Sequence, residues 1–356
     1  MGEYSRFISQ ARRPVPTPKR LVGEDGKSVF GTFANEFESM DLLAALKPTA
    51  APQRLNRFRL TLWEAAEVSL KEGTLLCALC DMGLFGITIN VFYDKRTGKA
   101  CQWCTNLPSR DTGIAPNLID GSVAEARTED GFVRYVNDFG NGRCELSGSH
   151  TAKDGARVEY EFALSRISLP SVVSIPFGSN RPLYSQKDFF HAAGRITVNG
   201  ETLHSDGDTV AIVDDHRGYY PRHAHYDWVT AMGRKDGKFL AVNLTRNQSV
   251  DQERYNENLL WLEGRSSPLP PVIFARSELS AQANGRALWT VRDEHDMVNV
   301  AFSARDMTST ITHALLVNVD YYIAFGDISG YVRDEDGNKY LLDGLAGIGE
   351  DKTLLL

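Results

Sequence analysis

The sequence predicts an all-β protein, a two-lobed antiparallel barrel or sandwich with few short helices. Three observations predict it. Asp-Gly or Asn-Gly dipeptides recur at Asp25, Asp120, Asp130, Asn141, Asp154, Asn199, Asp206, Asp236, Asn284 and Asp336, and such pairs favour the positive φ of tight hairpin turns. Between them lie runs rich in β-branched and aromatic residues at 86–93, 158–164, 239–244 and 321–325, several alternating with the period of a half-buried strand. Helical patterns are scarce. Residues 39–46 and 63–70 read as short helices, and neither recurs in a β-α-β rhythm, so a doubly wound parallel sheet is disfavoured.

Residues 1–20 hold Arg12, Arg13, Pro14, Pro16, Pro18, Lys19 and Arg20 without an apolar period and read as an extended arm or a surface strap. Residues 21–172 form the first expected lobe. Pro170, Pro176, Gly178 and Pro182 interrupt the pattern at 169–182, and residues 183–356 form the second lobe, expected to be lipocalin-like. At 356 residues with 42% apolar and 24% charged side chains, the chain can bury one large β core or two modest ones. A net charge of −7 argues against nucleic acid, whose phosphates need clustered Lys and Arg. No apolar run reaches the roughly 18 residues of a membrane span, and the N-terminus lacks a signal-like apolar segment, so the expected location is cytoplasmic. The sequence does not fix an oligomeric state.

Two Cys-x-x-Cys pairs, Cys77/Cys80 and Cys101/Cys104, have a separation suited to a four-thiolate zinc site. Strand parity opposes it, because residues three apart on a strand point to opposite faces. Only a backbone knuckle, for which Asp81-Met82-Gly83 is suited, would bring each pair together. Free cysteine also serves as a small buried apolar residue, and no metal is expected.

The densest chemistry follows Val210-Ala-Ile-Val213, where an apolar strand runs into Asp214, Asp215, His216, Arg217, Gly218, Tyr219 and Tyr220. Charge at a buried strand end persists only if paired, hydrogen-bonded or used. By parity Asp214 and His216 share one face, and Asp215 and Arg217 the other. A carboxyl buried against apolar walls is suited to give a proton near neutrality. A structural ion-pair network closing a barrel end is the competing reading. Downstream, His223, His225 and Asp227 offer a metal set or a solvated rim, and the rim reading is adopted. Glu257, between Asn256 and Asn258, either orients a ligand or caps a turn. No phosphate-binding loop, nucleophile elbow or dinucleotide fingerprint follows a strand; Gly344, Gly347 and Gly349 are a weak echo in the wrong context. No cofactor is expected.

Asn56-Arg-Phe-Arg-Leu60 with Trp63-Glu64, Asp214 through Pro221 with Asp227-Trp228, Arg254 through Asn258 with Trp261, and Gly326 through Asp336-Gly337 to Gly349-Glu350-Asp351 resemble the bacterial domain of unknown function 2804 family over nearly the whole chain after residue 20. Gly194 through Gly200 and Val213-Asp-Asp-His216 are similar to the wider AttH, carotenoid 1,2-hydratase and tocopherol cyclase group. That wider resemblance implies a lipocalin-like (calycin) fold with a ligand cleft between lobes, and cofactor-free acid chemistry on a small hydrophobic, isoprenoid-like molecule. It places the acid on Asp215, with Asp214, His216 and Arg217 tuning it. Tyr219, Tyr220, Trp228, Arg246, Glu257 and Trp261 are the expected substrate-binding residues. Arg217-Gly218-Tyr219 departs from the Trp-Gly pair usual in that group, so the substrate does not transfer. The alternatives are a non-catalytic carrier of an apolar ligand and a carbohydrate enzyme using two carboxylates, Asp215 with Glu257.

Overall fold

Two curled antiparallel sheets carry the chain in the computed structural model, which describes residues 4–5, 7, 9–277, 288–313 and 318–355. The Asn284 turn expected from the sequence lies outside them. The first sheet comprises β1 (Gly31–Phe33), β2 (Thr61–Ser69), β3 (Gly73–Asp81), β4 (Phe85–Asp94), β5 (Lys99–Pro108), β6 (Thr112–Gly113), β7 (Ser122–Arg127), β8 (Gly131–Asp138), β9 (Arg143–Thr151), β10 (Arg157–Arg166), β11 (Ser171–Pro176), β12 (Pro182–Val198), β13 (Glu201–His204) and β14 (Val210–Gly218). Its main path runs β5-β4-β3-β2-β14-β12-β10-β9-β8-β7-β6. The second sheet comprises β15 (His223–Lys235), β16 (Lys238–Arg246), β17 (Leu259–Leu262), β18 (Arg265–Pro268), β19 (Ile273–Arg276), β20 (Leu288–Arg292), β21 (Val298–His313), β22 (Asn318–Arg333), β23 (Lys339–Leu341) and β24 (Ala346–Leu355). Its path runs β18-β17-β16-β15-β24-β22-β21-β20-β19.

Alternation explains which strands face water. On β10, Val158, Tyr160, Phe162 and Leu164 are buried while Arg157, Glu159 and Glu161 are exposed, the pattern of a sheet with one wet face. The inward side chains of β2, β3, β8, β9, β10 and β14 form the core of the first lobe; Val229, Leu260, Trp289, Phe302 and Ile328 belong to that of the second. β3 is buried on both faces because its outer side chains Leu76, Ala78 and Cys80 pack with Tyr321, Ile323, Phe325 and Ile348 of the second sheet. Continuous apolar sequence at 74–80 is thus the signature of a strand sandwiched between lobes.

Three expectations are corrected. Of residues 63–70, all but Leu70 are strand, not helix: their Ala and Glu favour helix locally, but β2 is paired along both edges, with β3 and β14, and tertiary pairing overrides propensity. In 39–46 only Leu42–Ala44 is helical, as a single 3-10 turn. The lobe boundary is not at 169–182, where β11 and β12 pair as a hairpin closed by Pro176 and Pro182. Prolines end these strands where no ladder donor is needed, so a hairpin looked like a linker. The chain passes between sheets after Gly218 and before His223.

The N-terminal segment is a strap. Tyr4 and Phe7 pack on the second-lobe core, Arg12 is buried against the 256–258 loop, and Val15 and Arg20 bridge to Phe33 and Ser39 of the first lobe. Arg12 Nη2 donates to Asn258 O (2.9 Å) and Nη1 to Leu269 O (3.1 Å) and to Asn256 Oδ1. Among the described residues no helix is long and apolar enough to cross a membrane.

Candidate functional site

Between the lobes lies a narrow cleft, part of it open to solvent. Strand alternation builds it. On β14, Val210 and Ile212 pack toward the second lobe and Asp214 and His216 continue on that face into the cleft. On β2, Trp63, Ala65 and Glu67 face it; on β24, Glu350, Lys352 and Leu354 do. The opposite face of β24 explains the late glycines: a Cβ on Gly349 would lie 2.6 Å from Trp289 Cζ3, and one on Gly347 3.0 Å from Phe302 Cδ2. These glycines make room for aromatic rings in the second-lobe core.

One pole of the cleft is charged. Lys187 Nζ, on β12, donates to Glu257 Oε2 (2.7 Å), Asp214 Oδ1 (3.0 Å) and Ser185 Oγ (3.2 Å). His216 Nε2 lies 2.7 Å from Lys187 Nζ and 3.0 Å from Glu257 Oε2, so it accepts from the lysine or donates to the carboxylate according to its tautomer. Ser185 Oγ donates to Glu257 Oε2 (2.5 Å), and Asn247 Nδ2 donates to Oε1 (3.2 Å). Burial alone would raise the Glu257 carboxyl, but Lys187 and His216 outweigh it and hold it well below the usual range. Burial would likewise lower Lys187, yet Asp214 and Glu257 keep its ammonium above the ordinary lysine value.

The other pole holds carboxyls raised by burial. Burial pushes Glu350 up to about 7 against the Tyr321 hydroxyl that donates to its Oε1 and the charge of Lys352. Glu67 is raised well above the carboxylate range by burial, then by Asp214 and Glu350. Lys352 Nζ sits 4.1 Å from the Trp63 ring centroid and 4.5 Å from that of Tyr321. Tyr220 and Tyr226 stack at 6.2 Å, and Phe177, Leu183 and Trp228 complete the apolar walls. A carboxyl that keeps its proton near neutrality, next to apolar walls and opposite a fixed charged cluster, has the makings of a general acid.

Of the residues expected from the sequence, Asp214, His216, Tyr220, Trp228 and Glu257 line the cleft. Asp215 and Arg217 do not. They face the interior of the first lobe, where Arg217 Nε and Nη2 each lie 2.7 Å from an Asp215 carboxylate oxygen and Nη1 donates to Ala115 O at 2.6 Å. Asp215 and Glu257 therefore stand on opposite sides of the first sheet. Glu64, opposite Asp215 in register, is raised to about 8 by burial and then by Asp215's charge. Tyr219 donates to Leu42 O at 3.0 Å in the first-lobe core. Trp261 is fully buried between the lobes with Ile212 and Phe239. Arg246 pairs with Asp227 at 2.7 Å.

The cysteines do not converge. Cys77 faces the first-lobe core, Cys80 the interlobe face, and Cys101 is exposed. His225, Asp227 and Asp351 bring ligand atoms within 4.8 Å of one another, but Arg276 pairs with both carboxylates and Arg246 with Asp227, so their charge is already balanced. His223 is exposed and stands apart from that group.

Sequence reasoning missed Glu67, Lys187, Tyr226, Tyr321, Glu350 and Lys352. The available signal was charge set inside a strand-like apolar run, visible in Trp63-Glu-Ala-Ala-Glu67 and in Ile348-Gly-Glu-Asp-Lys352.

Among solved structures, kievitone hydratase from Nectria haematococca is 12% identical with a TM-score of 0.48, covering 83% of this chain and 88% of that one. An AttH-like protein from Nitrosomonas europaea is 14% identical with a TM-score of 0.48, covering 84% and 93%. CghA, crystallised with Sch210972, is 12% identical with a TM-score of 0.41, covering 94% and 98%. No curated protein sequence matches the chain. Residues 12–354 match the family described as domain of unknown function DUF2804, and the chain belongs to that family.

Proposed function

We propose that the interlobe cleft performs cofactor-independent acid catalysis, as a hydratase, cyclase or isomerase, on a largely apolar small molecule. The observation that carries this reading is the position of the Glu350 carboxyl, buried in an aromatic-walled cleft that raises it to about 7. The sequence resemblance to the carotenoid 1,2-hydratase group implies the same class of chemistry. The acid, however, is Glu350 in this reading, because Asp215 is turned away and locked to Arg217.

Glu350 gives its proton to a carbon of the substrate double bond; the π pair forms the new C–H bond and leaves an electron-poor carbon. In a hydration, water oriented by Asp214 and Glu257 adds there, and the proton it sheds restores Glu350. In an isomerisation or cyclisation, a C–H proton lost from the substrate restores it. Glu67, also raised by burial, stands beside it, and the Lys187 cluster binds whatever hydroxyl or water the reaction uses. Positioned proton transfer of this kind contributes about 10²–10⁴-fold.

The test works whatever the product is. Unsaturated isoprenoids and conjugated enones are incubated with the protein in D2O, and solvent deuterium at carbon is followed by mass spectrometry. The wild type should label at least one bound compound, with a rate that falls as Glu350 ionises above about pH 7, and Glu350→Gln should lose about 10²-fold or more with its unfolding transition intact. Binding without labelling in either protein would leave the carrier reading in place.

A further inference from the structure

Lys352 forms no direct ion pair among the described residues; burial lowers its pKa, while Glu350 and Asp214 support its charge. Its side chain lines the cleft and is 4% exposed. Its ammonium is held by ring faces, those of Trp63 at 4.1 Å, Tyr321 at 4.5 Å and Tyr226 at 5.7 Å. Among the described residues nothing accepts a hydrogen bond from Nζ or pairs with it. Lys187, on the other side of the same cleft, has three oxygen acceptors. Glu350, its neighbour on the same face of β24, has its carboxyl raised to about 7 by burial and already accepts from the Tyr321 hydroxyl. Ring quadrupoles attract an ammonium but take none of its three N–H donors along the bond direction that an oxygen would. A cation buried at that cost and left with open donors is built to meet an acceptor from outside.

We propose that Lys352 is a specificity-determining residue whose ammonium receives an oxyanion of the ligand, so that the cleft selects an apolar molecule carrying one acidic oxygen (carboxylate, enolate or phenolate) over a bare hydrocarbon. The inference rests on the cleft being the ligand site, as in the proposed function, and sharpens its substrate class. A resident positive charge beside Glu350 disfavours a free carbocation there, because like charges repel strongly in a low-dielectric site. A negative oxygen conjugated with the double bond removes that conflict: its charge faces Lys352, and the carbon that takes the proton is made electron-rich.

Decanoate and decanol, equal in chain length and different in head group, are titrated calorimetrically into the full chain near pH 6, below the Glu350 value of about 7. The wild type should bind decanoate about tenfold more tightly or better, the size of one charge-assisted hydrogen bond. Lys352→Met should bring the two affinities together, and Lys352→Arg should keep a preference for decanoate. Equal wild-type affinities would overturn the inference and leave the proposed function standing. So would a decanoate preference that survives in Lys352→Met. Failure of both ligands to bind would overturn the inference and the cleft reading together. Should Lys352→Met not fold, the wild-type comparison and the arginine variant decide the matter.

Discussion

Asp214 and Asp215 are adjacent in sequence and have opposite surroundings. Asp214 meets Lys187 at the floor of the cleft, while Asp215 is sealed in the first lobe with Arg217, the two side chains 0% and 4% exposed. Breaking a buried pair leaves one uncompensated charge, which typically costs 3–5 kcal/mol, whereas the pair itself is of little net worth. Asp215→Ala should therefore destabilise the fold by about 3–5 kcal/mol, read from urea unfolding, while the folded protein keeps its deuterium-labelling rate. Loss of labelling with stability unchanged would return the acid to Asp215. Parity sorted the two aspartates onto opposite faces from the sequence alone. It could not say which face looked into a cleft, because that depends on where the second lobe packs.

At the scale of elements, β24 carries the proposed chemistry on one face and second-lobe packing on the other. Gly349 immediately precedes Glu350 and lies under Trp289. Its substitution forces a ring that has little room to move, and overpacking of this kind costs about 1–3 kcal/mol. Gly349→Ala should lower the unfolding free energy by that amount and, by displacing β24, weaken decanoate binding; an unchanged urea midpoint would show that Trp289 yields freely. The strand pattern at 346–355 was hard to read because glycines and charges dilute its apolar alternation. Strands with one wet face, such as β10, were legible at sight. Residues 63–70 misled because Ala and Glu report local helix preference, and the two neighbouring strands that override it lie elsewhere in the chain.

The whole molecule holds several carboxyls raised above the ordinary range. Glu64 at about 8, Glu350 at about 7 and Asp188 at about 6, with Glu67 also raised, all owe their position first to burial. A carboxyl raised in the folded state binds its proton more tightly there than in the unfolded chain. Its stabilisation is therefore complete below the ordinary carboxylate range and is lost as pH rises through the folded value. Glu257 runs the other way: lowered by Lys187 and His216, it destabilises the fold only as pH falls below the ordinary range. The melting temperature should accordingly be higher near pH 5.5 than near pH 8, and calorimetry at the two values checks it. A melting temperature that climbs steadily from acid to alkaline pH would mean that these carboxyls are ionised in the native state. Near pH 8, Glu350→Gln should recover part of the loss, because an amide has no charge to bury.

The sequence by itself determined the all-β class, the hairpin rhythm, the division into two lobes, the family, and the segregation of Asp214 and His216 from Asp215 and Arg217. All of these rest on turn chemistry, side-chain alternation and motif identity, which act over a few residues. The tertiary structure alone decided the boundary between the lobes, the partners of Lys187, the burial that raises Glu350 and the aromatic seat of Lys352. Each is set by burial and electrostatic field, and those are sums over side chains as far apart in sequence as Trp63 and Lys352, brought within 4.1 Å only when one sheet packs on the other.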